Sequence, residues 1–161
     1  MKKILTLFLA LVACLSLASC SKKYVTDVEA SVISKALEEG ITTDGGYVVP
    51  DESFFTFNIG APDRLVNEYR IIVAKDEDNQ NQIGVFKTSN KKDAKELAKY
   101  CQNHVNNEKA NYDYNLDAEE AQKLKNAQVN VFGTYVVYTI LSPEDTEYAL
   151  IIIENLISEK T

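Results

Sequence analysis

The feature that most constrains the fold is an alternating segment, AQVNVFGTYVVYTIL, at residues 127–141. Val129 and Val131 fall on one face of an extended chain, and the polar residues between them fall on the other. Gly133 suits a tight hairpin turn, and Tyr135–Leu141 follows as the partner strand. The segment therefore predicts an antiparallel β-hairpin.

A second hairpin is predicted upstream. Glu68–Lys75 (EYRIIVAK) and Gln82–Thr88 (QIGVFKT) have the composition of strands, and the polar run Asp76–Asn81 connects them. Oxygen-bearing side chains alternate through this run as in a calcium-binding loop. However, the twelfth position, which should carry a bidentate acid, is Lys87. The run is therefore predicted to be a solvated hairpin tip rather than a calcium site.

Helix start and stop signals flank both hairpins. Thr26–Glu29 is typical of a capping box and Gly40 of a helix end, and Ser142-Pro143 with two following acids is typical of a helix start. Tyr148–Ile153 is rich in β-branched residues and could form a strand, but the start signal favours a helix. The predicted helices comprise residues 26–40, 91–110, 117–126 and a last helix from 143.

These elements predict an α+β fold. The two β-hairpins form an antiparallel sheet that helices cover on one face, with one helix near the N-terminus. Residues 41–67 are predicted to be irregular because glycines and prolines interrupt them, and their aromatic residues Phe54, Phe55 and Phe57 are expected to plug the core.

The N-terminal segment resembles a bacterial lipoprotein signal. Lys2 and Lys3 precede the apolar run Ile4–Ala18, which is shorter than the roughly 20 residues that span a membrane. The run ends in Leu17-Ala18-Ser19-Cys20, which resembles a lipobox: a branched residue, two small residues and a cysteine.

The lipobox resemblance implies that residues 1–19 are removed, that the Cys20 thiol carries a diacylglycerol and that a further fatty acid caps its amine. Residues 20–25 would be a lipidated tether and residues 26–161 a single domain. More than one acyl chain anchors a protein stably. The expected location is the extracytoplasmic face of the cell membrane. The alternative is a plain secretory signal with a chance cysteine.

Composition excludes several function classes. Removing residues 1–19 leaves 142 of 161 residues, and 15 basic residues then face 24 acidic ones, for a formal charge of −9. Nucleic acid is an unfavourable partner for such a chain. Only Cys101 remains as a free thiol beyond the anchor, so no internal disulfide can form.

Few residues suggest catalysis. Cys101 and His104 lie three apart on one predicted helix, but Cys101 falls in the apolar stripe, so a structural interpretation is favoured. The acidic pairs Glu38-Glu39, Glu119-Glu120 and Glu144-Asp145 resemble helix starts and solvated faces as much as a hydrolase pair. No cofactor or metal motif is present, and no catalytic residue is assigned.

Tyrosines concentrate in the C-terminal half of the chain. Tyrosine near a sheet face can form a contact surface for a peptide or a glycan. The alternative is that aromatic residues simply favour strands and half-buried faces. The candidate contact residues are Tyr112, Tyr114, Tyr135 and Tyr138.

Two stretches carry a family resemblance: NQIGVFKTSNKKDAKELAKYCQNHV at residues 81–105 and LDAEEAQKLKNAQVNVFGTYVVYTILSPED at residues 116–145. They resemble a family of small Gram-positive bacterial lipoproteins defined by a domain of unknown function, number forty-three fifty-eight. The similarity covers about residues 60–157. It implies a lipoprotein of a Gram-positive envelope and no known activity.

The sequence thus favours a lipid-anchored domain that binds an envelope protein, a peptide or a glycan. The alternatives are an envelope hydrolase that uses clustered carboxylates and a small-solute receptor for a transporter.

Overall fold

The computed structural model describes residues 23–110 and 117–159. Within these ranges lie five α-helices and a five-stranded sheet. The helices are α1 (Ala30–Gly40), α2 (Glu52–Phe54), α3 (Lys91–Ala110), α4 (Ala118–Asn126) and α5 (Pro143–Ile157). The strands are β1 (Tyr47–Val48), β2 (Glu68–Ala74), β3 (Gln82–Lys87), β4 (Gln128–Phe132) and β5 (Tyr135–Ile140).

All strand pairs are antiparallel, and the strand order is β1-β2-β3-β5-β4. Both predicted hairpins, β2–β3 and β4–β5, are confirmed. They join through β3 and β5, where Phe86 lies opposite Val136 and Val85 opposite Val137. The α+β class is confirmed, and β5 is an interior strand.

Helices pack on both faces of the sheet, whereas the sequence analysis expected one covered face. Ile71 and Phe86 face a core shared with Leu97 of α3. Because side chains alternate along a strand, the neighbouring residues Ile72 and Val85 face a second core, which α1 and α5 complete. The expectation of one covered face is therefore wrong.

The reason for the second layer lies in β5, in which every residue is buried. Its sequence, YVVYTI, is apolar on consecutive positions rather than on every second one. A strand of this kind needs cover on both sides. The alternation of its hairpin partner β4 therefore does not extend to β5.

The predicted capping box at Thr26 is wrong. α1 begins at Ala30 and its N-cap is Glu29, whose side chain makes no capping hydrogen bond. The Glu68 side chain instead accepts a hydrogen bond from the backbone N–H of Ser31 at 3.3 Å. Before α1, Tyr24 forms a β-bridge with Ser158, and Val25 donates its N–H to the carbonyl of Ile157 at 2.8 Å. These backbone contacts compete with a helix that would start at residue 26.

The last helix is confirmed over the alternative strand. The Ser142 side chain accepts a hydrogen bond from the backbone of Asp145, and Pro143 occupies the first turn of α5. Ala149 and Ile153 lie four positions apart and are buried against α1 and the sheet. The start signal therefore outweighs the β-branched composition.

Residues 41–67 contain more regular structure than expected. After β1 and α2 the chain forms a π-helical turn, Phe55–Ile59, and then a 3-10 turn, Asp63–Leu65. Phe55 is buried in the core as predicted, but Phe57 is 83% exposed. The expectation that the aromatic residues here plug the core is therefore wrong for Phe57.

Candidate functional site

Two of the four tyrosines predicted to form a contact surface are buried. Tyr135 and Tyr138 are 0% exposed because they lie on the interior strand β5 and point into the two opposite cores. The expectation that they form an exposed surface is wrong for these two. Tyr112 and Tyr114, like the lipidation residue Cys20, lie outside the described residues.

Cys101 and His104 do meet on one side of α3, but the structure buries both. Burial raises the pKa of the Cys101 thiol to about 12, and burial lowers the pKa of the His104 imidazole to about 4. The thiol is therefore protonated and the imidazole neutral near pH 7. A nucleophilic pair needs a thiolate and access for a substrate, so these residues form part of the core.

The His104 ring is instead held by polar and aromatic neighbours. Its Nε2 lies 3.2 Å from Oε1 of Gln82, and its ring meets that of Tyr138 edge-on at 5.0 Å. Glu108 approaches Nδ1 at 3.6 Å, which exceeds hydrogen-bond distance. The desolvation of the ring therefore outweighs the attraction of this carboxylate.

Two of the predicted acidic pairs contribute to one cavity. Glu119 of α4 and Asp145 of α5 line a space of about 240 Å³ beside Asp44 and the tip of the β2–β3 hairpin. We call this space the tip cavity. Glu39, by contrast, lies on α1 and is 3.8 Å from Lys35. Among the described residues, no group of three or more His, Cys, Asp or Glu side chains could hold a metal ion.

A second concave region lies along β2, and the sequence analysis did not predict it. β1 pairs only with Val73 and Ala74 of β2. On this side, the stretch Glu68–Ile72 has no strand partner in the described part of the chain, although β3 pairs with it on the other side. β2 thus has an open edge over most of its length.

The backbone direction along this edge follows from two hydrogen bonds. The N–H of Ala74 donates to the carbonyl of Asn81, on the β3 side, at 2.8 Å. The N–H of Lys75 donates to the carbonyl of Gly46, on the β1 side, at 2.9 Å. Backbone groups alternate in direction along a strand. The N–H and C=O groups of Tyr69 and Ile71 therefore point to the β1 side, beyond the end of β1.

Two clefts follow the open edge. One, of about 290 Å³, is lined by residues that include Val49, Phe55 and Arg70. The other, of about 310 Å³, lies between Phe55 and the turn at Asp63. The Phe55 and Tyr69 rings stack at 4.6 Å between them. We call the open stretch of β2 and these two clefts the edge groove.

The rim of the edge groove is acidic. Asp51, Glu52, Asp63 and Glu68 line the two clefts together with one base, Arg70. Burial raises the pKa of Tyr69, and the negative charges of Glu52 and Asp63 raise it further. Acids from both clefts thus act on the same ring, so the groove favours positively charged groups.

The π-helical turn supplies the outer wall of the edge groove. It turns Phe55 into the core and leaves Phe57 exposed. Turns of this kind are rare and occur frequently at functional sites. The sequence signal that could have revealed the groove is the short apolar run Tyr47–Val49 that Pro50 ends, because it can pair with only part of a longer strand.

Comparison with known proteins gives one match. The family model described as Domain of unknown function (DUF4358) matches residues 58–141, a range that covers β2, β3, β4 and β5. No curated protein and no solved structure gives a significant match. No helix within the described residues is long and apolar enough to cross a membrane. The chain belongs to the family defined by this domain of unknown function.

Proposed function

We propose that the protein is a lipid-anchored binding domain on the extracytoplasmic face of the cell membrane, and that it captures an extended basic peptide segment along the edge groove. The observation that carries this proposal is the open edge of β2 between two clefts.

An extended peptide suits the edge groove because it can add a strand to β2. The outward backbone groups of Tyr69 and Ile71 can pair with its main chain. Side chains of an extended segment alternate, so one in every two would point toward the clefts. The Phe55–Tyr69 stack and the exposed Val49 offer apolar contact to such a side chain.

The charge of the groove favours a basic segment. Four acids and one arginine line the two clefts. The second arginine nearby, Arg64, is already paired with Glu96 at 2.8 Å. The domain as a whole is acidic as well, so long-range attraction would act in the same direction as the rim.

The anchoring part of the proposal rests on the lipobox at Cys20. Lys23, Tyr24 and Val25 already contact the C-terminal residues 157–159, so two residues would separate the lipidated Cys20 from the folded domain. At no more than about 3.6 Å per residue, this tether would hold the domain within about 11 Å of the bilayer surface.

A selection experiment tests the peptide site. The lipid-modified chain in detergent micelles is panned against a displayed library of random dodecapeptides. We expect enriched peptides with basic residues at alternate positions. The double variant Glu52→Lys/Asp63→Lys should bind them about tenfold more weakly, because each change reverses an attraction at the rim.

The matched control is Glu38→Lys/Glu39→Lys, which changes the charge equally on exposed positions of α1. It should leave the affinity of an enriched peptide unchanged. Methylation of single peptide nitrogens should abolish binding at every second position, as strand addition requires. Equal tolerance at all positions, or no enriched peptide, would refute strand addition.

The anchor is tested separately in cells. Cys20→Ser should release the protein into the medium, because the hydroxyl cannot form the thioether to the lipid. Cys14→Ser is the control, since this residue would leave with the signal segment and its change should not alter the location. Retention of the Cys20→Ser chain on membranes would contradict the anchor and leave the peptide site untouched.

A further inference from the structure

The tip cavity is separate from the edge groove and is lined only by polar and charged residues. The loop before β1 contributes Asp44, the hairpin tip contributes Asn79 and Asn81, α4 contributes Glu119 and Lys123, and α5 contributes Asp145. From the sequence alone, the hairpin tip Asp76–Asn81 is expected to be solvated. That expectation holds for Asp76–Asp78 and fails for Asn81, which is buried.

Asn81 is the central observation. Its side chain is only 3% exposed, and its Oδ1 makes no hydrogen bond with the described residues. Its Nδ2 donates to the Tyr47 hydroxyl at 3.4 Å, and its backbone N–H donates to Oδ1 of Asn79 at 2.9 Å. The residue is therefore held in place, and its acceptor oxygen stays unpaired beside a cavity. Buried acceptors of this kind are normally paired.

The charges around the cavity are unbalanced. Lys123 is buried, and its Nζ lies 2.6 Å from Oε1 of Glu120 and 3.3 Å from Oδ1 of Asn79. The charge of this lysine is thus paired with that of Glu120, which does not line the cavity. Three further carboxylates line the cavity and form no ion pair with a described residue: Asp44, Glu119 and Asp145. Asp145 accepts one hydrogen bond, from the Ser142 hydroxyl at 2.7 Å.

A cation that also donates hydrogen bonds would match both the carboxylates and the unpaired Oδ1 of Asn81. We propose that the tip cavity binds a small organic cation that carries a primary ammonium group beside hydroxyl donors. The ammonium group pairs with a carboxylate of the cavity lining, and a neighbouring hydroxyl donates to Oδ1 of Asn81. The volume of about 240 Å³ is below the usual range for drug-sized ligands and suits a single sugar or amino-acid unit.

The site is tested by titration calorimetry on the full chain in detergent micelles. D-glucosamine carries the ammonium group and the hydroxyls, putrescine carries only ammonium groups, and D-glucose carries only hydroxyls. We expect saturable binding of D-glucosamine, weaker binding of putrescine and none of D-glucose. Glu119→Gln should weaken both amines several-fold, and Asn81→Ala should weaken D-glucosamine about tenfold and putrescine little.

Glu144→Gln is the matched control, because Glu144 is an exposed acid in the first turn of α5 and does not line the cavity. It should leave the affinity unchanged. Circular dichroism verifies that each variant is folded, and Glu119 is exposed, so Glu119→Gln remains informative if Asn81→Ala unfolds. The proposal is overturned if no amine binds in the millimolar range, if D-glucose binds as tightly as D-glucosamine, or if calcium chloride alone binds saturably.

Discussion

At the scale of single residues, polar atoms inside the core differ sharply in how well they are paired. The Tyr135 hydroxyl donates to the carbonyl of Val28 at 2.7 Å. The Tyr138 hydroxyl on the opposite face of the same strand is buried and has no partner among the described residues. Burial is also the largest of the causes that raise the pKa of Tyr138. The two hydroxyls, three positions apart on one strand, should therefore affect the free energy of unfolding in opposite directions.

This difference predicts opposite effects of one substitution. Tyr138→Phe should leave the free energy of unfolding unchanged or raise it by about 1 kcal/mol, because it removes an unpaired buried hydroxyl. Tyr135→Phe should lower it by about 1 kcal/mol, because it breaks a partly buried hydrogen bond. Urea unfolding of the two variants provides the comparison. Equal destabilisation would show that the Tyr138 hydroxyl has a partner.

His104 is the residue whose titration should affect stability. Burial lowers its pKa from 6.5 to about 4, so between these values the unfolded chain binds more protons than the folded chain. The contribution of His104 to the free energy of unfolding is therefore fully present above pH 6.5 and is lost as the pH falls toward 4. Its upper limit is about 3 kcal/mol. Burial raises the pKa of Glu108, so the folded chain binds this proton more tightly than the unfolded chain does. Glu108 therefore favours unfolding as the pH rises, which is opposite to the effect of His104.

Substitution of His104 isolates this contribution. His104→Gln retains a polar group near Gln82 and removes the imidazole, so the free energy of unfolding should fall less steeply between pH 6.5 and pH 4 than it does in the unaltered protein. Denaturant unfolding at several pH values measures the slope. Parallel pH profiles would mean that the ring is protonated at its ordinary pKa.

At the scale of elements, the helix caps show where local sequence is sufficient. Asp117 starts the predicted helix 117–126 and caps α4: its side chain accepts hydrogen bonds from the backbone of Glu119 and Glu120, both at 2.9 Å. Thr26 begins an equally good capping motif in the sequence, yet residues 26–29 are not helical, and Tyr24 just before them pairs with Ser158 in a β-bridge. A capping motif acts only where tertiary contacts allow the helix to start.

Substitution by alanine at Asp117 and at Thr26 should therefore change the free energy of unfolding by unequal amounts. Asp117→Ala should lower the free energy of unfolding by about 1 kcal/mol, since two backbone donors lose their acceptor. Thr26→Ala should change it by less than about 0.5 kcal/mol, as is usual for exposed positions. Thermal unfolding of both variants would test this. A comparable loss for Thr26→Ala would mean that the capping box forms.

At the scale of the whole molecule, the two ends of the sheet have different surroundings. Tyr24 lies at the β4–β5 turn, where a Cβ on Gly133 would approach its own Cβ at 3.2 Å. The tip of the β2–β3 hairpin lies at the other end, because Gln82 pairs with Ile140 and Lys87 with Tyr135. A strand of this length separates the two ends by about 20 Å. A lipid on Cys20 would thus place the tip cavity away from the bilayer.

This geometry predicts an orientation on membranes. A fluorophore on Val131→Cys, near the β4–β5 turn, should be quenched by lipid-borne quenchers in vesicles that carry the lipidated chain. The same fluorophore on Asp78→Cys at the hairpin tip should not be quenched. Both positions are exposed, and the native Cys101 is buried and should not react. Equal quenching at both positions would contradict the proposed orientation.

The predictability of each part follows from the range of its interactions. The hairpins and most helix boundaries were predictable because alternation, turn residues and caps act between near neighbours. The edge groove was not predictable, because it depends on how far β1 pairs along β2. The tip cavity combines residues from the loop before β1, the hairpin tip, α4 and α5. Only the tertiary structure brings Asn81 and these residues into the lining of one cavity.

By itself, the sequence determined the α+β class, the two hairpins, the family and the expectation of a lipid on Cys20. The tertiary structure decided which residues are accessible. It buried Tyr135 and Tyr138 by enclosing β5 on both faces, and it left the edge of β2 open. The physical reason is that burial depends on which elements cover a surface, and long-range packing sets this cover.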